Sequence, residues 1–270
     1  MSYELGIIGA GNMAEAIARG VLAASVLTPE QIIAADVYEA RRVIFATQLR
    51  VRAIESISEV AYHSRVLLLS VKPQQMTEVL ADLGKVMTDQ TLVISIAAGI
   101  SSAFIEKSLG QGKSWRVIRT MPNTPMLVGD GMVAISAGTH ATPADVARAR
   151  QLFEAAASVI EVPEDKIDAV TAVSGSGPAY FFFLVEQMIK AGVELGLSES
   201  DARLLAAKTA IGSAKMLMTS TDTPQELRRK VTSPGGTTHA AITHMEHAGV
   251  DKAVVAAIHA AAARSRELGK

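Results

Sequence analysis

The segment that most constrains the fold lies at the start of the chain, where a short apolar run meets a glycine-rich turn. Residues 5–8 lead directly into Gly9, Gly11 and Ala14, and an apolar helical pattern follows. In such a strand–turn–helix unit the first glycine makes the tight turn, and the second lets a pyrophosphate approach the backbone. The third position lets the helix pack closely on the sheet. The turn therefore predicts dinucleotide binding, with these cofactor contacts: Gly9, Gly11, Asn12 and Met13.

Apolar strands alternate with helical patterns up to about residue 160, which predicts an α/β Rossmann fold. The strands are predicted at residues 5–8, 32–35, 65–71, 92–96, 117–119 and 132–136. Continuous apolar strands of this kind form parallel sheets that are covered on both faces. Ligands of such sheets bind beyond the carboxyl ends of the strands. The further cofactor contacts predicted at these ends are Asp36, Val71, Lys72, Pro73, Ala97 and Asn123.

Asp36 has two interpretations. A carboxylate at the end of the second strand usually holds the ribose 2′-OH of NAD and repels the 2′-phosphate of NADP. Arg41 and Arg42 follow closely in the sequence, and their charge would offset that repulsion. The other interpretation is a solvated loop carboxylate, just as Lys72 could be an ordinary charged strand end. The preference between NADH and NADPH therefore stays open.

After Pro163 the strand pattern stops, which predicts an all-helical second domain. The boundaries predicted are residues 1–162 for the NAD(P)-binding Rossmann domain and 163–270 for the helical domain. Helical patterns occupy residues 164–173, 179–195, 199–219, 224–230, 238–248 and 251–268. The second of these is apolar around nearly its whole circumference, and such a helix is normally buried on all sides. A second subunit would supply that cover, so we predict a homodimer through this domain.

Residues 233–239 form the sequence Ser-Pro-Gly-Gly-Thr-Thr-His and lead into another helical pattern. The first N–H groups of a helix lack internal partners and carry partial positive charge. Glycines let a ligand approach these groups closely, so one interpretation is a binding site for an anion such as a carboxylate. The other is an ordinary helix start capped by Thr237 or Thr238. The local sequence favours the cap, whereas the nucleotide-binding turn at the other end of the chain favours the anion site.

Composition argues against several classes of protein. The 270 residues carry a net charge of −1, so no basic field attracts nucleic acid or an anionic membrane. The chain has no cysteine, which excludes disulfides and thiolate chemistry and fits a cytoplasmic location. No apolar run approaches the roughly 18 residues of a membrane span, and the immediate first strand leaves no room for a signal peptide. His239, His244 and His247 lack the H-x-x-x-H spacing, so we expect no metal site.

Five segments, taken in order, carry a family resemblance. They are Gly9-Ala-Gly-Asn-Met-Ala14, Val71-Lys-Pro73, Met121-Pro-Asn-Thr-Pro125, Ser174-Gly-Ser-Gly-Pro-Ala-Tyr180 and Thr232-Ser-Pro-Gly-Gly-Thr-Thr238. Together they closely resemble the pyrroline-5-carboxylate reductase family. The resemblance covers the whole chain, and the last two segments are the most specific to that family.

The resemblance implies a Rossmann domain and a helical dimerisation domain, assembled as dimers or as larger rings of dimers. It also implies reduction of the cyclic imine 1-pyrroline-5-carboxylate to L-proline with NADPH or NADH. The substrate carboxylate would be held at the residues of the glycine-rich helix start: Ser233, Gly235, Gly236, Thr237 and Thr238. In the family, the threonine at the position of Thr238 is placed to hydrogen-bond the substrate nitrogen, as an orienting group or a proton donor. The residues implied to line the active site are Ser174, Gly175 and Gly177.

Three alternatives remain beside this interpretation. A β-hydroxyacid dehydrogenase would have a lysine on the first long helix of the second domain and an asparagine four residues later. Here Lys190 is followed by Glu194, which argues against alcohol oxidation. A reductase of another cyclic imine, such as a six-membered ring, and a non-catalytic NAD(P)-sensing protein are distinguished by assay rather than by sequence.

Overall fold

The computed structural model describes residues 3–269, which form two compact units. The first unit comprises residues 3–175 together with 261–269, and the second comprises residues 176–260. The boundary predicted from sequence after residue 162 marks the end of the strands and stays a prediction. In the structure, the short helical turns that follow residue 162 and the end of the last helix belong to the same compact unit as the sheet.

In the described residues the first unit contains an eight-stranded sheet of order β3-β2-β1-β4-β5-β6-β7-β8. The strands are β1 (Tyr3–Ile8), β2 (Ile32–Ala35), β3 (Arg52–Ile54), β4 (Ser64–Leu69), β5 (Leu92–Ser95), β6 (Arg116–Pro122), β7 (Gly131–Ala137) and β8 (Ala157–Glu161). Strands β1 to β6 are parallel, β7 is antiparallel to β6, and β8 is parallel to β7. The order reverses at β1, which lies between β2 and β4. In open α/β sheets this is the edge at which ligands bind.

The predicted parallel sheet is confirmed for the first six strands and wrong for the direction of β7. A parallel return needs a crossover connection of about a dozen residues or more. Only residues 123–130 separate β6 from β7, and they hold a single 3₁₀ turn at Thr124–Val128. Strands β3 and β8 were not predicted from the sequence. Strand β3 is only three residues long and lies at one edge, and β8 is largely exposed at the other.

Helices cover both faces of the sheet, as predicted. In the first unit they are α1 (Asn12–Ala23), α2 (Glu39–Gln48), α3 (Ile57–Tyr62), α4 (Met76–Val86), α5 (Ser102–Leu109), α6 (Pro143–Glu154) and α7 (Ile167–Val170). Successive strand residues point to opposite faces, so Leu68 belongs to one buried cluster while Leu67 and Leu69 belong to the other. The rigid two-sided core fixes the strand ends at which the candidate site is built.

A partly buried ion network links the end of the last helix to the sheet. The Arg119 guanidinium on β6 lies 3.3 Å from Glu164 Oε1 and 3.6 Å from Asp168 Oδ1. Ser265 Oγ, near the end of the last helix, donates to Asp168 Oδ1 at 2.7 Å. This contact, with those of Leu268 and Gly269 against Gly99, joins residues 261–269 to the first unit.

The second unit is helical, with α8 (Gly177–Glu194), α9 (Glu199–Thr219), α10 (Pro224–Lys230), α11 (Thr237–His247) and the greater part of α12 (Val250–Leu268). Proline, glycine and capping side chains mark several of these helix ends. Pro178 lies in the first turn of α8, and Gly196 follows that helix with a φ of 95°. Ser198 and Thr223 each cap a helix by accepting a hydrogen bond from a backbone N–H three residues later. The predicted helix at 164–173 is instead a 3₁₀ turn, α7 and a π turn in succession.

The second unit has very little core. Among its described residues only Gly177, Ala202 and Ala206 are buried. On α8, Phe181, Phe182 and Phe183 are 63%, 69% and 66% exposed. Contiguous apolar surface of this kind marks an interaction site in a folded protein. Of the helices in residues 3–269, none combines the length and apolarity needed to cross a bilayer.

Candidate cofactor and substrate sites

The two glycines of the first turn have different structural roles. Gly9 has a φ of 91°, and a Cβ built on it would lie 2.8 Å from the carbonyl oxygen of Ser70. Gly11 precedes α1 as its N-cap and provides no side-chain cap; a Cβ there would have no neighbour within 4 Å. Gly9 is therefore required by the backbone, while Gly11 keeps open the space in front of an uncapped helix start. That combination fits the pyrophosphate of a dinucleotide.

A cavity of about 350 Å³ lies beyond the carboxyl ends of β1, β2 and β4. Five of the predicted cofactor contacts line it: Gly9, Gly11, Asp36, Val71 and Lys72. These residues come from three separate segments of the chain, and the sheet brings them together. The cavity is thus at the switch point where a nucleotide is expected.

The other predicted cofactor contacts do not line this cavity. Asn12 is exposed at the start of α1, and Met13 packs partly against the core. Pro73 begins a 3₁₀ turn. Ala97 is buried in the core on the face of the sheet opposite α1. Asn123 lies at the end of β6. The roles of these residues toward the cofactor stay predictions.

Several residues of the cavity were not predicted from the sequence. They include Tyr38, Gln75, Glu78 and Asp82, whereas Arg41, which also lines the cavity, was predicted to lie near Asp36. All of them follow β2 or β4 within a loop or the first turns of the next helix. The signal available in the sequence was their position just after a strand end, but their residue types carry no dinucleotide signature.

Asp36 is held firmly rather than freely solvated. Its Oδ2 accepts a hydrogen bond from the Ala10 N–H at 2.7 Å, and its Oδ1 accepts one from the Tyr38 N–H at 2.9 Å. Ala10 stands between the two glycines of the first turn. The carboxylate therefore links the end of β2 to the predicted pyrophosphate turn.

Arg41 is fixed beneath the same turn. Its Nε donates to the Ala10 carbonyl at 2.5 Å, and its Nη2 lies 2.8 Å from Glu15 Oε2. Burial acts to raise the pKa of the Glu15 carboxyl, but hydrogen bonds and charge from Arg19 and Arg41 outweigh it and hold that pKa below its usual value. Glu15 therefore stays ionised and balances the charge of Arg41.

Both the nitrogen and the oxygen of the Asn123 side-chain amide form hydrogen bonds within the protein. Its Nδ2 donates to Ser174 Oγ at 3.2 Å and to the Ser174 carbonyl at 3.3 Å, while its Oδ1 accepts from the Met132 N–H at 2.8 Å. The side chain thereby holds the predicted lining segment at Ser174 and Gly175 against β7. Gly177 lies beyond this contact, buried at the start of α8.

The glycine-rich segment before α11 forms a tight turn. The Gly236 N–H donates to the Ser233 carbonyl at 3.0 Å, with Pro234 second in the turn and Gly235 third at a φ of 72°. This is the arrangement of a type II turn, which prefers proline and glycine in those two positions. Gly236 is the N-cap of α11, and no side chain caps the helix. The alternative in which Thr237 or Thr238 caps it is therefore wrong.

The helix start leaves donors available for a ligand. The Gly236 N–H is used within the turn, which removes it from the predicted set of carboxylate donors. Across residues 3–269, the backbone N–H groups and the hydroxyls of Thr237 and Thr238 have no hydrogen-bond acceptor. Ser233 is exposed, and its hydroxyl likewise has no protein partner in that range. Free donors at the N-terminus of an eleven-residue helix fit a carboxylate.

His239, His244 and His247 all lie on α11. Within the part of the chain that the structure describes, no group of three or more His, Asp or Glu side chains is arranged to hold a metal ion.

Comparison with known proteins identifies the family. Residues 164–268 match the family model described as pyrroline-5-carboxylate reductase dimerisation. Residues 4–99 match the model described as NADP oxidoreductase coenzyme F420-dependent. Over 270 residues the chain is 44% identical to the pyrroline-5-carboxylate reductase of Synechocystis sp., covering 100% of both chains. The chain belongs to the pyrroline-5-carboxylate reductase family.

Other members of the family agree in sequence and in structure. The chain is 40% identical over 269 residues to the pyrroline-5-carboxylate reductase of Methanosarcina acetivorans, covering 100% of this chain and 99% of that one. The solved pyrroline-5-carboxylate reductase of Coxiella burnetii is 34% identical, with a TM-score of 0.89 and full coverage of both chains. The Plasmodium falciparum pyrroline carboxylate reductase, solved with NADP bound, is 28% identical with a TM-score of 0.90, covering 99% and 98%. The predicted family and fold class are confirmed.

Proposed function

We infer that this protein reduces 1-pyrroline-5-carboxylate to L-proline, the last step of proline biosynthesis, with NADPH or NADH as hydride donor. The observation that carries this conclusion is the full-length relationship to pyrroline-5-carboxylate reductases at 44% and 40% identity. The chemistry of the two candidate sites supports it, since one fits a dinucleotide and the other fits a carboxylate.

Gly9, Gly11, Asp36, Val71 and Lys72 would hold the nicotinamide dinucleotide, which supplies a hydride when bound. The uncapped start of α1 offers its N–H groups to the pyrophosphate, and Asp36 lies where the adenosine ribose is bound in Rossmann folds. Val71 and Lys72 lie at the end of β4 and line the same cavity. These residues bind and orient the donor.

The start of α11 would hold the substrate by its carboxylate. The N–H groups of Thr237 and Thr238 and the Ser233 hydroxyl are the donors, and Gly235 keeps the approach open. The Thr238 hydroxyl would contact the imine nitrogen and fix the ring in the reacting orientation, which is a major source of rate in bimolecular reactions. A threonine hydroxyl is a weak acid, so the nitrogen gains its proton in one of two other ways. Either the substrate binds already protonated, as an iminium ion that hydride addition converts directly to the amine, or water supplies the proton to the neutral imine.

One assay tests the reaction. We expect oxidation of NADPH or NADH, followed by the loss of absorbance of the reduced nicotinamide, with pyrroline-5-carboxylate and little with its six-membered homologue or with a hydroxyacid. Faster turnover of the six-membered imine would replace the proposed substrate with that ring. Cofactor binding without turnover of any of the three would favour a sensor.

The dimerisation domain makes the protein a homo-oligomer. We propose that its basic form is a dimer built on the helices of the second unit, and that dimers assemble further into rings. The exposed apolar side chains of α8 support the dimer, because a second copy of these helices would remove them from water.

We predict that Phe182→Glu weakens this association. The wild-type protein should sediment as a dimer or a larger species at micromolar concentration. The variant should raise the dissociation constant by at least about tenfold, because a buried interface aromatic typically contributes about 2 kcal/mol or more.

Tyr62→Glu is the matched control for this experiment. Tyr62 is a 71% exposed aromatic residue of the first unit, and its replacement should leave the sedimentation profile unchanged. A monomeric wild-type protein, or equal effects of the two substitutions, would contradict the proposed interface.

We propose that the reaction takes place in the cytoplasm. Proteins there are rarely stabilised by disulfides, so a chain without cysteine fits that compartment. Cell fractionation followed by the reductase assay checks this, and activity confined to a secreted fraction would contradict it.

A further inference from the structure

We propose that this chain binds NADH in preference to NADPH and that Asp36 sets the preference, an inference that rests on the reductase function proposed above. From the sequence alone, Arg41 and Arg42 could have reversed the effect of Asp36. The contacts of these three side chains in the structure distinguish a preference for NADH from a preference for NADPH.

The Asp36 carboxylate is oriented for a ribose diol. A carboxylate offers about four lone-pair positions on its two oxygens. Each oxygen of Asp36 accepts one backbone N–H, from Ala10 and from Tyr38, which leaves one acceptor position on each. Asp36 lines the cavity, so these two positions are available to the two neighbouring hydroxyls of an adenosine ribose. A 2′-phosphate in place of one hydroxyl would bring a second anion against this carboxylate.

The cavity as a whole has too few free cations for that phosphate. Its other carboxylates are Glu78 and Asp82, and its cations are Lys72 and Arg41. Arg41 is paired with Glu15 at 2.8 Å, and Asp82 with Lys85 at 2.7 Å. Among the described residues that line the cavity, this leaves the Lys72 ammonium against the Asp36 and Glu78 carboxylates. A phosphate monoester would add a charge of about −1.5 to −2 to this balance.

Neither arginine is placed to bind a 2′-phosphate. Arg41 donates to the Ala10 carbonyl and to Asn12 Oδ1 as well as to Glu15, so it stabilises the turn from beneath. Arg42 Nη1 donates to the carbonyls of Asp36 and Val37 at 2.8 and 3.0 Å, and Arg42 does not line the cavity. Turning either guanidinium toward a phosphate would break these bonds to the loop. The arginines therefore order the segment after β2, and Asp36 is the charge that meets the ribose.

Equilibrium binding tests the preference without turnover. Isothermal titration of the wild-type protein with NADH and with NADPH, in the absence of substrate, should show NADH binding at least about tenfold more tightly, or about 1.4 kcal/mol. In Asp36→Ser the charge is lost, and the ratio of the two dissociation constants should move toward NADPH by about tenfold or more. Asp82→Ser removes a carboxylate from the same cavity and should leave the ratio within about twofold, because a change of that size is within about 0.4 kcal/mol.

Several results would overturn the proposal. Equal affinity of the wild-type protein for NADPH and NADH would overturn it directly. An Asp82→Ser variant that shifts the ratio of the two dissociation constants as far as Asp36→Ser would also overturn it. A selective loss of NADPH affinity in Arg42→Ala would assign phosphate recognition to that arginine instead. If Asp36→Ser does not fold, the wild-type ratio and the Arg42→Ala variant decide the matter. NADH preference in binding without imine reduction would contradict only the proposed function, whereas imine reduction with tighter NADPH binding would contradict only the preference.

Discussion

Replacing Thr238 by alanine should lower kcat/KM for pyrroline-5-carboxylate by about 100-fold or more, while the affinity for NADH and NADPH stays unchanged. Loss of one preorganised donor at a reacting centre typically costs a factor of about 10² to 10³ in rate. The Thr238 hydroxyl is available for such a role, because it caps no helix and has no acceptor among the described residues. The N–H of residue 238 remains in the variant, so carboxylate binding should be largely retained. Steady-state kinetics and isothermal titration of the cofactor measure the two effects separately.

Two further variants separate a contact with substrate from a general effect on α11. Thr238→Ser keeps the hydroxyl and should recover most of the lost activity. Thr243→Ala makes the same chemical change on the same helix, at a half-buried residue five positions later, and should have little effect. Unchanged kinetics in Thr238→Ala, or an equal loss in Thr243→Ala, would remove Thr238 from the reaction.

Alanine at Gly11 and alanine at Gly9 should produce two different defects. A methyl group at Gly11 meets no protein atom within 4 Å, so Gly11→Ala should fold with unchanged thermal stability. The same methyl group would occupy the space in front of the α1 N-terminus, which the pyrophosphate needs. We expect the cofactor dissociation constant to rise at least about tenfold. Thermal unfolding and isothermal titration of the same sample check both statements.

Gly9→Ala should be a stability defect. At a φ of 91° the new Cβ would be strained and would lie 2.8 Å from the Ser70 carbonyl oxygen. Backbone strain of this kind costs about 1–3 kcal/mol, before the steric clash with Ser70 is added. The melting temperature should therefore fall by several degrees, at about 2–4 °C per kcal/mol for a domain of this size. If Gly11→Ala unfolds as readily as Gly9→Ala and still binds cofactor normally, the two roles are assigned wrongly.

Much of the fold could be predicted because its determinants are local. The 199–219 and 224–230 helices match the structure to the residue, and a capping side chain marks the start of each one. The direction of β7 has no local determinant, because it depends on the length of the connection after β6 rather than on the composition of the strand. Strands β3 and β8 depend on pairing with a neighbour at the sheet edge, so their own sequences carry little signal.

The candidate sites divide in the same way. Gly9, Gly11 and the Ser233–Gly236 turn could be predicted because glycine and proline report backbone conformation directly. The cavity contacts of Tyr38, Gln75 and Glu78 could not, because they depend on the direction in which each chain segment leaves the sheet. The capping of α11 was also ambiguous, since Gly236 and either threonine are acceptable N-cap residues. Only the backbone geometry distinguishes them.

The sparse interior of residues 176–260 has a consequence for how the chain becomes stable. A helical unit that buries only Gly177, Ala202 and Ala206 has almost no apolar burial of its own with which to oppose the loss of chain entropy. We therefore expect ordering of this unit and subunit association to be one thermodynamic event, in which the population of folded helices depends on protein concentration. Dilution would then act on the second unit as a denaturant acts on an ordinary domain, while the sheet of the first unit keeps its own core.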